Sequence, residues 1–290
     1  MNYDPDMESP KLEEHAIGDR VRVWTLGGDQ ITSSYGANCV GILGDDGVLL
    51  VDPLIAPAHA KLVEAALRKQ TDAPVRFVLL THHHTDHALG SSWFARQGAA
   101  VIAHEACRRG MEQHHPALLA QRRKDPELAK LFSDAETILP TITFPATLTL
   151  DLGGVEARIL HPGHGHTPGD AVLFLPGESV AVCGDLVSSG YHVNFEDASL
   201  PGATAGLEFL ASLGAETYVP GHGRASGKTI LEDQKWYHAA IDEAVREGDA
   251  GGRDLAETTG VLKKLFPGFL LEMVLPETVA RLSPRRTLYS

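Results

Sequence analysis

Residues 81–87 read THHHTDH and follow without a break on VRFVLL at 75–80. The apolar run reads as a strand that needs cover on both faces, which commits the chain to layers on either side of a sheet. Four imidazoles and a carboxylate are thereby delivered to the end of a buried strand, where polar groups without partners cost free energy. A fold that tolerates this arrangement has to give those side chains something to bind.

The remaining sequence supplies the layers. Short apolar or alternating runs near 20–26, 37–43 and 47–52 are separated by Gly and Asp turn signals and read as a β-meander. Helical spacing at 57–70 leads into the strand at 75–80, and a second unit follows, with a helix at 87–97 and a strand at 99–103. Residues 104–134 read as charged helical sequence, either a solvated helix pair or a lid. Strands return between 143 and 183, then a short helix at 203–213, the strand of ETYVPGHG, a longer helix at 229–248 and two helices around FPGF within 253–286.

Two β-rich halves, 20–103 and 143–222, point to two sheets packed face to face with helices outside, an α+β arrangement. No Gly/Ser-rich linker separates them. Residues 1–248 are expected to form one domain, with 104–140 as a helical insertion, and 249–290 a helical C-terminal extension packed on it.

Three imidazole nitrogens at about 2.0–2.1 Å suffice for a catalytic zinc with an open position. His82 and His84, two residues apart, project to one side of an extended backbone, whereas His83 projects away and is expected to be structural, packing or hydrogen-bonding behind the loop. Asp86 and His87 offer an oxygen and a nitrogen to a second cation, although Asp86 also suits a helix N-cap. In GHGHTPGD at 163–170, His166 is a candidate third ligand, with His161 and His164 competing for that role. Asp185 ends the strand of VAVCGD, where a cation would compensate its burial, and His222 lies in the Gly-flanked loop of YVPGHG. These seven residues, His82, His84, Asp86, His87, His166, Asp185 and His222, form a ligand set for two adjacent metals sharing a carboxylate.

Composition narrows the partners. A formal net charge of −13 disfavours nucleic acid and anionic membrane, and leaves a small-molecule substrate. Cys39, Cys107 and Cys183 are odd in number and widely spaced, which fits a reducing compartment better than a disulfide framework. With a polar, acidic start and no run near roughly 20 apolar residues, the expected location is cytoplasmic. The expected state is a monomer or a homodimer, for which FPGFLL offers an apolar contact.

The motifs resemble those of the metallo-β-lactamase superfamily. His82, His84, Asp86 and His87 match its H-x-H-x-D-H signature, and GHTPGD at 165–170, CGD at 183–185 and PGHG at 220–223 follow in its order. The resemblance implies a four-layer αββα sandwich holding one metal on His82, His84 and His166 and another on Asp86, His87 and His222. Asp185 would bridge them, and Asp52, in VDP at 51–53, would support the metal loop.

True β-lactamases with two zincs usually carry Cys or Ser at the bridging position, whereas hydrolases similar to glyoxalase II and the lactonases carry Asp. Lactonases place a Tyr three residues after that Asp, where this chain has Ser188; Tyr191 and His192 stand further on as candidates for substrate contact or packing. The basic residues Lys263, Lys264, Arg281, Arg285 and Arg286 fall where glyoxalase-II-like proteins can bind an acidic thioester, and they equally suit amphipathic packing helices.

The expected activity is hydrolysis of an ester, thioester or lactone by a hydroxide bridging two Zn²⁺, with Mn or Fe as other metals and Asp86 handling the proton. β-Lactam hydrolysis and a mononuclear iron sulfur dioxygenase are the alternatives.

Overall fold

A computed structural model describes residues 11–283. The first sheet is built entirely from the first half of the chain. Its strands are β1 (Glu13–Ile17), β2 (Val21–Thr25), β3 (Asn38–Leu43), β4 (Val48–Val51), β5 (Val75–Leu79), β6 (Ala100–His104) and β7 (Ile142–Phe144), in that spatial order. Neighbours are antiparallel from β1 to β4 and parallel from β4 to β7. The second sheet is built from the next stretch: β8 (Thr147–Asp151), β9 (Glu156–Leu160), β10 (Val172–Leu175), β11 (Val180–Val182) and β12 (Thr217–Val219). Only Pro145 and Ala146 separate the last strand of one sheet from the first strand of the other.

The sheets pack face to face through alternate residues of each strand, as a period-two pattern demands. Val40, Ile42, Leu49, Val51 and Leu79 meet Ile159, Leu173, Leu175, Val182 and Val219. Four β4 residues, Val48, Leu49, Leu50 and Val51, are fully buried, because helices cover the outer face of the same strand. Those are α1 (Pro57–Leu67), α2 (Thr85–Ala88), α3 (Ser91–Ala95) and α4 (Glu105–Lys124). On the far side α5 (Leu200–Ser212) and α6 (Thr229–Gly251) cover Val172, Ala181 and Tyr218. The four layers are the αββα sandwich.

Helices α7 (Leu255–Leu265) and α8 (Leu275–Leu282) pack on α6 around Tyr237, Ile241, Leu262, Phe266 and Val279. Asp254 begins α7 with a capping box, its carboxylate accepting from Glu257 N while the Glu257 carboxylate accepts from Asp254 N. Arg285 and Arg286 lie outside the described residues. No helix among the described residues is long and apolar enough to cross a membrane.

Three local expectations change. Strand β1 carries no apolar alternation to betray it, because EEHAI is almost wholly exposed at the sheet edge. The helix expected over 87–97 is two short ones, since Gly90 donates to the Leu54 carbonyl and a Cβ there would lie 1.9 Å from the Pro53 carbonyl oxygen. The helical region 104–134 holds one helix followed by turns, for α4 stops at Asp125, whose successor Pro126 disfavours an α conformation before it.

Candidate metal centre

Loops at one rim of the sandwich converge on a single cluster. Strand β5 runs out through Thr81 into His82, His83 and His84, after which α2 presents Asp86 and His87. The loop before β10 brings His166, the exit of β11 brings Asp185, and the exit of β12 brings His222. His87 Nε2, His222 Nε2 and Asp86 Oδ2 form a nearly regular triangle with edges of 3.3, 3.4 and 3.5 Å. Ligands at about 2.0–2.1 Å from one tetrahedral ion stand about 3.3–3.4 Å apart, so this triangle has the size of one coordination face.

A second group gathers beside it. His84 Nδ1 lies 2.9 Å from His166 Nε2, and His82 Nε2, buried with no hydrogen-bond partner, faces the same point. Asp185 sits between the groups. Its Oδ2 is 3.8 Å from His82 Nε2, 3.5 Å from His166 Nε2 and 3.4 Å from His222 Nε2, while Oδ1 is 3.3 Å from His87 Nε2. Each group takes two donors from the 81–87 loop of the first sheet and one from a loop of the second.

The protonation of the rings is set from behind. Asp52 accepts from Thr81 N at 2.8 Å and Thr81 Oγ1 at 2.6 Å, so the Thr81 hydroxyl oxygen is left to accept from His82 Nδ1 at 2.9 Å. His87 Nδ1 donates to Asp52 at 3.0 Å, His222 Nδ1 to the Tyr35 carbonyl at 3.1 Å, and His84 Nε2 to Asp197 at 3.1 Å. Four of the five rings thus commit one nitrogen to an acceptor and keep the lone pair of the other for the centre. Lone pairs facing one another across 2.9–3.3 Å need a cation or a proton between them, and the buried chemistry fits divalent ions.

Backbone and electrostatics agree with this. Asp52 adopts φ 52°, a left-handed conformation that costs a non-glycine residue free energy and turns its carboxylate under the loop. Asp170 accepts from the backbone N–H of Gly165, His166 and Thr167 and from the Thr167 hydroxyl, fixing the His166 loop. Asn38 donates to the carbonyls of Pro220 and Gly223 around His222. Gly221 has no side chain for a reason: a Cβ would stand 1.8 Å from Asp185 Oδ1. Burial, with the neighbouring rings, pulls His82 well below its ordinary value and His166 to about 3. Burial also acts on His87 and His222, but the nearby carboxylates outweigh it, raising His87 well above its ordinary value and His222 to about 9.

The structure brings together all seven expected donors, with Asp52 beneath them. His161 and His164 stand apart: His161 donates to the Asp170 carbonyl and stacks on His104, and His164 bonds the Asp197 carbonyl. His83 is buried and hydrogen-bonded as expected, but in the cavity wall and not behind the loop, because the chain bends at 81–83 instead of remaining extended. Its Nε2 lies 3.2 Å from Asp197 Oδ2, beside His114, in the wall of a cavity of about 460 Å³ that opens over the cluster. His192 also lines that cavity, its Nδ1 3.1 Å from the Tyr237 hydroxyl, whereas Tyr191 packs against the ring of His222 from outside it.

Several contributors went unread in the sequence. Asp170 had a signal, since it closes the same Gly-rich loop as His166. Asp197, Tyr35 and Arg122, all of which line the cavity, lie in polar stretches that look solvated.

Residues 34–222 match the metallo-β-lactamase superfamily domain. Among curated relatives, the chain is 27% identical over 212 residues to a 2,4-dinitroanisole O-demethylase subunit alpha of Nocardioides sp. (strain JS1661), covering 70% of this chain and 56% of that protein. It is 34% identical over 168 residues to a hydroxyacylglutathione hydrolase of Acidiphilium cryptum (strain JF-5), covering 58% of this chain and 56% of that protein. The chain therefore spans little more than half the length of these two relatives. Among solved structures, a metallo-β-lactamase from Pontibacter korlensis superposes with a TM-score of 0.62 at 22% identity, covering 79% of this chain and 99% of that one.

Proposed function

This chain belongs to the metallo-β-lactamase superfamily, and from that premise we propose that it is a dinuclear metal-dependent hydrolase acting on the carbonyl of an ester, thioester or lactone. The observation that carries the proposal is the placement of Asp185, whose two oxygens face both donor groups at 3.3–3.8 Å. Two Zn²⁺ suit the five imidazoles and two carboxylates, and such ions supply Lewis acidity that polarises a carbonyl and lowers the pKa of water toward about 7.

The chain's own groups do the rest. Asp86 borders the cavity with its Oδ2 turned to His87 and His222, positioned to orient a water molecule and to receive its proton. Burial opposes its ionisation, but the adjacent His87 and His222 hold its carboxyl at about 2, so it stays ionised and able to accept a hydrogen bond from that water. Asp185 keeps the two groups at a fixed separation. Leu271, Val193 and Val274 line the cavity with apolar surface that limits water near the reacting carbonyl. Of the two substrate candidates, His192 borders the cavity and Tyr191 does not.

The presence of Asp rather than Cys or Ser at 185 favours ester-type substrates over β-lactams, and a complete second donor group favours hydrolysis over chemistry at a single iron. The test is metal analysis joined to a hydrolysis screen of thioesters, lactones, aryl esters, phosphodiesters and β-lactams. Turnover of an ester-type substrate that disappears on chelation and returns with zinc is expected. Undiminished turnover by metal-stripped protein, or none by protein loaded with two equivalents, would sink the proposal.

A further inference from the structure

Arg122 is a half-buried cation with no counterion of its own. It occupies the last turn of α4, where its neighbour Arg123 turns outward to the carbonyls of Phe132 and Ala135. Arg122 instead turns inward. Its Nη2 donates to Thr85 Oγ1 at 2.8 Å, its plane lies 4.9 Å from the centre of the Phe132 ring, and its Nη1 is enclosed with no hydrogen-bond partner. Among the described residues it forms no ion pair, and the neighbouring carboxylate, Asp86, is engaged with His87 and His222.

A guanidinium partly withdrawn from water with one nitrogen left without an acceptor is costly, and divalent ions next to Asp86 would make its surroundings more positive still. The free energy is recovered if an anion completes the set. Arg122 borders the cavity together with Tyr35, Asp86 and His222 at one end, while Leu118, Leu271 and Val274 line another part. Over the whole chain the formal charge is −13, so an anionic substrate would gain nothing from the general field and would need a local cation.

Resting on the hydrolase reading, we propose that Arg122, assisted by the Tyr35 hydroxyl, recognises a carboxylate on the substrate. The substrate class is then an ester, thioester or lactone that carries a free carboxylate beside the scissile carbonyl and an apolar remainder. The guanidinium fork suits a planar carboxylate through two parallel N–H donors, a geometry that lysine does not reproduce. Arg122 is on this account a specificity residue.

The experiment compares a succinyl thioester with its neutral methyl-ester analogue, using metal-loaded wild type, Arg122→Gln, Arg122→Lys and Tyr35→Phe at matched metal content and verified melting behaviour. Wild type should prefer the carboxylate substrate by about thirtyfold in kcat/KM, carried by KM. Arg122→Gln should bring the ratio to within about threefold of one, Arg122→Lys should leave it intermediate, and Tyr35→Phe should lower it by about threefold. A wild-type ratio near one, or an equal loss on both substrates in Arg122→Gln, overturns the proposal in favour of a strut between α4 and Thr85. Should no protein turn over either thioester, the hydrolase reading is judged by its own wider screen, and calorimetry with succinate and succinamide decides the role of Arg122. Tighter succinate binding to wild type than to Arg122→Gln, by about tenfold or more, supports it, and equal affinities overturn it. If Arg122→Gln does not fold, Arg122→Lys and Tyr35→Phe carry the same comparison.

Discussion

The floor and the walls of the cavity are built on different terms. In the floor, His82, His87, His166 and His222 are at most 3% exposed, and each donor loop is tied to a neighbouring element by a carboxylate or amide. In the walls, Leu118 is 37% exposed and Met273 is 56% exposed, carried by α4 and by the turn before α8. Close packing around the floor leaves no room for substitution, while the rim tolerates it. On the proposed reading, the contrast teaches that chemistry and selectivity would be held by separable parts of one cavity.

Asp185→Ala tests the contrast most severely. It should reduce bound metal and lower turnover by more than the roughly 10–100-fold typical of residues that merely support a ligand, as read by metal analysis and steady-state kinetics. Retention of full metal content would show that the floor does not depend on its shared carboxylate. Next comes Asp52→Asn, which weakens the support of both Thr81 and His87. A loss of about 10–100-fold in metal affinity by chelator competition is expected, and unaltered affinity would mean that the loop holds its shape unaided.

Asp197→Asn sharpens the boundary between the regions, because Asp197 lies in the wall yet accepts from His84 in the floor. About tenfold weaker metal binding, the lower end of the range for such partners, would place it with the floor, and a change confined to KM would place it with the walls. The smallest effect is assigned to Met273→Ala. Metal content should not change, while kcat/KM for long apolar acyl groups falls by about three- to fivefold relative to acetyl analogues, in line with partial loss of apolar burial. A loss of metal in this variant would erase the distinction.

What the sequence made legible follows the same division. The donors of the floor are local and dense: His82, His84, Asp86 and His87 lie within six residues, and the other loops announce themselves by Gly and Pro around a His or Asp. The two sheets were readable because their strands alternate or run apolar. The side to which His83 turns was not legible, because the rule of alternating sides holds only for extended backbone, and the loop bends under it. Arg122 and Asp197 were unreadable for a different reason. Their meaning comes from residues far along the chain, and in isolation each is one more charge in a polar stretch. Tyr191 and His192 are adjacent in sequence, yet one faces the cavity and the other does not, a distinction that no periodicity carries.

The arrangement of the two sheets along the chain has a mechanical implication. All of the first sheet precedes Pro145 and all of the second follows Ala146, while both donor groups straddle the seam. Ions at this rim would therefore act as rivets between two polypeptide halves, adding to the single peptide crossing, the apolar interface and hydrogen bonds such as those of Asn38 to the Pro220 and Gly223 carbonyls. Cut at that crossing, the halves would become fragments whose reassembly at high dilution should depend on the metal, which on the proposed reading makes the centre a fastener as well as a reagent.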